Sequence, residues 1–379
     1  MSEYQFVHFL ALDRPLDAPQ LEFMERQSSH AEISQWEFTN EYHFGDFHGK
    51  SEEMLRRGYD VHLHYANFGI RKLMFRLPMG LPCDQRTWDA FQPEYGIDWH
   101  SDKQGRGGIL EIQPEADAGT YSEEVFEVDS LLAEIAPLRE LLMAGDLRPL
   151  YVAWLACSGD DDALEPPVPA GLGTLPPSLI AMAEFYELSD GLLEAAAECS
   201  PMLPKGSDDI GTRTKVWAAR QPKDELRELV TRLLTDDVAI VRGETLARIR
   251  DEAGATAWLM TEPTRTLGQL RATAEVLQDR TRQRAAQAKE KARRARLAKI
   301  AADPQKVIAQ AAELVKKRST KCYDEAAQSL ADLREALGPE HGPPQAQAVA
   351  EKLRRENPTL NLFVSALRKH GLLAKSKKP

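Results

Sequence analysis

The sequence predicts an α+β protein: a small mixed α/β N-terminal domain, then a mainly helical region, a long basic helix and a C-terminal helical-hairpin module. Three observations predict it. Strand-like alternation, interrupted by short helix-like stretches, fills residues 1–120. From Asp129 onward the apolar spacing changes to the helical period. Thr266 to Asp303, bounded by Pro263 and Pro304, is built of Ala, Arg, Lys, Gln, Glu and Leu with Gly268 as its one glycine, and these residues lose least on entering a helix. The expected divisions are therefore 1–120, 121–262, 263–303 and 304–379.

Taken in order, YQFVHFLAL (Tyr4 to Leu12) reads as a strand, and Asp17 caps a short helix reaching about Gln27. Ala31 to Phe44 partly alternates and reads as a second strand. Ser51 opens a helix expected to run to Asn67 and to end at Gly69, before a third strand from Ile70 to Pro78. YGIDWHSDKQGRGGILEIQPE reads as a hairpin turning at Gly105, Gly107 and Gly108. Helices follow at Asp129 to Met143, Leu147 to Ala156, Pro176 to Leu188, Asp190 to Glu198, Lys223 to Leu234 and Val238 to Arg250. The acidic, proline-rich stretch 158–177 reads as mostly surface loop.

The Thr266 to Asp303 helix would span roughly 55 to 60 Å, too long to lie wholly in one core. Leu267, Leu270, Ala274 and Leu277 form a stripe able to dock its start. Beyond that stripe Arg280, Arg282, Arg284, Lys289, Lys291, Arg293, Arg294, Arg296 and Lys299 face a single acid, Glu290. This predicts a solvated spacer. The same nine residues are the candidate contacts for a partner or for phosphates, and about half of them reaching one duplex implies a log-log salt slope near roughly −4. After Pro304, helices are expected at Gln305 to Lys317, Tyr323 to Leu337, Gln345 to Glu356 and Leu360 to His370, broken at Gly338, Gly342, Pro343, Pro344 and Pro358.

The chain has 379 residues, 42% of them apolar and 28% charged, which suits a multidomain soluble protein. No segment has the apolar length of a membrane span, and the opening MSEYQFVHFLALDRPL lacks the positive start of a signal peptide. Cys83, Cys157, Cys199 and Cys322 are scattered without a CxxC pair, so a reducing cytoplasm is expected. The net charge of −11 conceals a division: through Ile210 there are 14 Lys and Arg against 38 Asp and Glu, and 34 against 21 thereafter. Such asymmetry can steer the two parts onto each other or onto separate partners.

Chemical motifs are sparse. GDFHGKS, Gly45 to Ser51, has one residue too few before Gly-Lys for a P-loop and reads as a turn with Ser51 as helix cap. His43, Asp46, His48, Asp60, His62 and His64 crowd one region. On the expected helix His62 and His64 diverge by about 200°, leaving Asp60 and His64 as the pair able to meet. GxSxG is absent, and the acids after Cys157 would raise its pKa. Trp36, Phe38, Tyr42, Phe44 and Phe47 fit a sheet core better than a base-stacking surface.

SEYQFVHFLALDRPL, FTNEYHFGDFHG with YANFGIRKLMFRLP, and YDEAAQSLADLREAL with ENPTLNLFVSALRKHGL together resemble a family of bacterial proteins. The C-terminal part is also similar to the tail that follows the zinc finger of some SWIM-type proteins, but the CxC and CxH ligands of that finger are missing. The resemblance implies the domain order and a bacterial cytosolic setting, and no catalytic residue. The expectation is a non-enzymatic protein-interaction or scaffold protein, with no catalytic, cofactor or metal residue and no membrane contact. Two alternatives stand beside it: weak, sequence-independent nucleic-acid binding by the basic helix, and an enzyme or metal site in the His43 to His64 region.

Overall fold

The computed structural model describes residues 3–43, 45–81, 83–105, 107–115, 128–203, 210–252 and 258–374. The chain divides into two compact units, Met1–Gln278 and Asp279–Pro379. The expected boundary at 120/121 and the aromatic Phe44 lie outside the described residues.

The first unit is built on an antiparallel seven-stranded sheet of order β2-β3-β1-β4-β5-β7-β6. Its strands are β1 Gln5–Leu10, β2 Glu32–Ile33, β3 Glu37–Tyr42, β4 Val61–Ala66, β5 Arg71–Leu77, β6 Ile97–Ser101 and β7 Gly108–Ile112. Helices α1 Ala18–Glu25, capped by Asp17 as expected, and α2 Ser51–Arg57 contribute to the core on one sheet face, where Phe9, Phe38, Met54 and Tyr59 are buried. A third helix, α3 Gln85–Phe91, was not foreseen; its signal is Asp84, whose carboxylate accepts from Thr87 N at 2.8 Å.

The opposite face is covered by helices of the middle region: α4 Leu131–Ile135, α5 Leu138–Met143, α6 Arg148–Cys157, α7 Pro177–Phe185 and α8 Asp190–Ala197. One apolar core joins Phe6, Leu63, Phe75 and Ile112 of the sheet to Leu132, Leu150, Leu179 and Ala195 of these helices. The single helix expected from Asp129 to Met143 is two, because Pro137 has no N–H to continue the ladder.

Residues 58–67 also depart from expectation, forming a turn and strand β4 instead of continuing the helix. Gly58 ends α2 where a Cβ would come within 2.8 Å of Leu16, and VHLHYA then alternates with the period of a strand. Val61, Leu63 and Tyr65 enter one core, which sends His62 and His64 together to the other face. Gly69 closes the β4–β5 turn at φ 109° instead of capping a helix.

The stretch 158–177 is not mostly surface. Glu165 and Val168 to Leu172 are buried, and β8 Val168–Pro169 pairs with β9 Met260–Thr261. Burial is permitted because Glu165 is fully engaged: Arg265 grips it through Nε to Oε2 at 2.9 Å and Nη2 to Oε1 at 2.7 Å, and Tyr151 donates to Oε1 at 2.5 Å. This clasp sits at the root of the long helix. Helices α9 Ile210–Ala218, α10 Lys223–Thr235 and α11 Val238–Glu252 precede the clasp.

The long helix, α12 Leu267–Ala302, matches the expected extent. Leu267 and Leu270 are fully buried and Ala274 nearly so, as the docking stripe requires, whereas 279–289 are exposed throughout. In the second unit α14 Thr320–Ala336 packs against α13 Pro304–Lys316, α15 Gly338–Glu356 and α16 Asn361–Lys369. Helix α15 begins seven residues before the expected Gln345 and contains Pro343 and Pro344. Gly342 lets it cross α14 so closely that a Cβ would overlap Arg334 O at 1.8 Å. Tertiary packing here overrides the breaker signal.

Limited trypsin digestion should therefore cut first at Arg280, Arg282, Arg284, Lys289 and Lys291, leaving both units as resistant fragments. Mass spectrometry of the early products decides this; first cuts elsewhere, with this stretch protected, would remove the exposed-spacer reading.

Candidate functional site

The face of the sheet beneath α2 gathers more polar chemistry than any single motif suggested. Because β1 and β4 pair antiparallel, with Val7 opposite His64 and Phe9 opposite His62, their same-face residues form one layer. His62 stacks on Phe9 with ring centroids 3.8 Å apart, and its Nδ1–H donates to His8 O at 3.0 Å. That leaves Nε2 to accept from Ser51 Oγ at 3.4 Å. His64 Nε2 donates to Gln5 Oε1 at 3.0 Å, and Gln5 Nε2 donates to Asp46 Oδ1 at 2.7 Å and Gly45 O at 3.1 Å.

Burial, then the charges of His64 and Lys72, pushes His62 well below its ordinary pKa. Burial, with Lys72 second, lowers His64 to about 4. Both rings are neutral near pH 7. Ser51 beside His62 has the composition of a nucleophile and base, but a ring so depressed is a poor base, and its other nitrogen meets a neutral carbonyl where a carboxylate would strengthen it. Ser51 is also not the helix cap; Lys50 occupies that position without a side-chain cap bond.

The same face continues as a ladder of opposite charges. Lys72 Nζ meets Glu111 Oε1 at 2.6 Å, Glu111 Oε2 meets His100 Nε2 at 3.2 Å, and His100 Nδ1 lies 3.8 Å from Glu52. Arg56 then joins Glu52 to Asp102. These partners come from four separate elements, so no local spacing could have shown them. The cleft of about 760 Å³ between the β6–β7 turn and α11 has Arg76, Asp102, Glu244 and Arg248 in its walls. Three of these four charges are engaged: Asp102 by Arg56, Glu244 by Arg232 and Arg248 by Glu225.

The six residues of the expected His43 to His64 cluster are thus divided. Asp46, His62 and His64 share the sheet face. His43 is exposed, its ring 5.6 Å from that of Tyr4, and His48 is exposed. Asp60 does not pair with His64: its Oδ1 faces Arg139 at 3.1 Å and its Oδ2 accepts from Leu12 N and Asp13 N. Among the described residues no group of three His, Cys, Asp or Glu side chains is placed to hold a metal ion. Cys157 is pushed up to about 12, as expected in direction, but chiefly by burial and then by Asp98, not by the acids that follow it.

The nine candidate cations of the long helix fall into different environments. Arg293 meets Glu335 at 2.7 Å, Arg296 pairs with Asp332, and both acids stand on α14. Arg294 pairs with Glu290 at 2.9 Å and Arg282 with Asp279 at 3.6 Å, each within the helix. Arg280, Arg284, Lys289, Lys291 and Lys299 are exposed.

A different exposed surface was missed. Helix α10 buries none of its residues, although Leu226, Val230, Leu233 and Leu234 recur at the spacing of an apolar stripe. Val230 is 57% and Leu234 82% exposed. Arg232 to Glu244 at 2.7 Å and Arg248 to Glu225 at 3.0 Å fix the helix to α11 through polar side chains instead. The periodicity was visible in the sequence; that nothing in the described chain covers it was not. No helix among the described residues is long and apolar enough to cross a membrane. Comparison with family models, curated proteins and solved structures finds no match to this chain.

Proposed function

We propose that this chain is a non-enzymatic interaction protein of the bacterial cytosol, which docks another protein through the apolar stripe of α10. The observation carrying this reading is that stripe, with Val230, Leu233 and Leu234 exposed and Leu226 half-buried, on a helix that ion pairs join to α11. An amphipathic helix so presented suits a hydrophobic groove, with Leu226, Val230, Leu233 and Leu234 as anchors. The four free cysteines agree with a reducing compartment.

A photo-crosslinking amino acid placed at Leu234 in the full chain tests the reading in source cells. The expected result is a discrete protein adduct that disappears when Val230→Asp is added, with the melting temperature nearly unchanged because Val230 is exposed. Absence of a protein adduct, or an adduct indifferent to Val230→Asp, would refute it.

A further inference from the structure

The second unit, Asp279–Pro379, carries 23 Lys and Arg against 11 Asp and Glu, whereas Met1–Gln278 carries 25 against 48. The net charges are therefore +12 and −23, and the excess of cations in the second unit is concentrated on α12. The positions of these cations around the helix are what the tertiary structure makes informative.

At about 100° per residue, Arg282, Lys289, Arg293 and Arg296 fall within about 60° of one another. Ile300, 8% exposed, lies in the same sector, and the half-buried Leu297 lies on its flank. This is the face turned to the bundle, where Glu335 and Asp332 of α14 neutralise Arg293 and Arg296. Arg280, Arg284, Lys291 and Arg294 fall within about 80° of one another on the opposite side. Lys299 lies between the two groups. The ion pairs to α14 hold the rotation of the helix, so the second stripe is kept facing outward. Among the described residues, Glu290, paired to Arg294, is the acid that reduces its charge.

We infer that the stripe Arg280, Arg284, Lys291 and Arg294 is a contact surface for the phosphate backbone of duplex nucleic acid. Its cations are spread over about 21 Å of helix, at intervals of about 4.5 to 10.5 Å. Gln283, Gln287, Ala295 and Ala298 lie beside them, and residues 280–296 include no aromatic or large aliphatic side chain to anchor a protein. The chemistry is charge without base reading, so binding is independent of sequence. With Arg294 shared, three to four phosphates are neutralised, giving a log-log salt slope of about −3. This is shallower than nine cations acting together would give, because α14 has already engaged part of the set. The surface is separate from the α10 stripe and does not depend on it.

Fluorescence anisotropy of the full chain with a labelled mixed-sequence 20-base-pair DNA duplex, across a sodium chloride series starting at about 20 mM, tests the inference. The expected result is binding with a slope near −3, similar for two unrelated duplex sequences. Arg280→Gln/Arg284→Gln/Lys291→Gln/Arg294→Gln should weaken it at least tenfold, while Arg282→Gln/Lys289→Gln changes it less than twofold. Circular dichroism and melting temperature verify that both variants stay folded. Three outcomes overturn the inference: no binding at the lowest salt, equal loss in the two variants, or tighter binding of polyglutamate than of a duplex of equal charge, which would transfer the stripe to an acidic protein.

Discussion

Replacing Arg139 by methionine is expected to destabilise the first unit by about 3–5 kcal/mol, the usual consequence of removing one partner from a buried ion cluster. Arg139 is 1% exposed and lies among two carboxylates and a carbonyl. It donates to Asp13 Oδ2 at 2.7 Å and Arg76 O at 2.7 Å, and lies 3.1 Å from Asp60 Oδ1. Burial alone would lower its pKa, but Asp60 and Asp13 outweigh that and raise it. Without the guanidinium, two carboxylates remain in the interior, with Arg242 reaching Asp13 only at 3.7 Å. Adding Asp13→Asn and Asp60→Asn to Arg139→Met should recover much of the loss, since the charges then disappear together. Urea midpoints measure both steps. A loss below about 1 kcal/mol for Arg139→Met alone would mean that water reaches the cluster.

The second large effect is acid sensitivity. Burial, with Lys72 second, lowers His64 to about 4 in the folded chain against an ordinary value of 6.5, and burial also lowers His62. A histidine held neutral favours folding fully above its unfolded pKa, and the contribution is lost as pH falls toward the folded value, because the unfolded chain takes up protons first. For His64 the window runs from about pH 6.5 down to about 4, and the loss is about 3 kcal/mol. His64→Gln removes this linkage while keeping a donor for Gln5, so its stability should be flatter with pH between those limits. Equal pH slopes for His64→Gln and the native chain, from urea titrations at half-unit intervals, would show that the ring is solvated.

What could be read before folding was local. The length of α12 follows from Pro263, Pro304 and the helix-forming residues between them, and its docking stripe from Leu267, Leu270 and Ala274, all within a few turns of chain. Strand β1 and the Asp17 cap are similarly local. Gly58 illustrates the limit: residues 51–57 and 61–66 each carry a consistent pattern, but ending one and starting the other depends on the close approach of Leu16 from a distant loop.

Side-chain pairing was decided farther along the chain. His64 meets Gln5, Asp60 meets Arg139 and Glu165 meets Arg265 across separations of 59 to 100 residues, and only the assembled sheet and helices bring them together. The expected acidic loop is partly interior because an arginine 100 residues away satisfies Glu165. The composition of α12 establishes that it is basic, a property of the residues themselves. Which of its faces is neutralised depends on Asp332 and Glu335, because an ion pair forms only where folding brings opposite charges within about 4 Å.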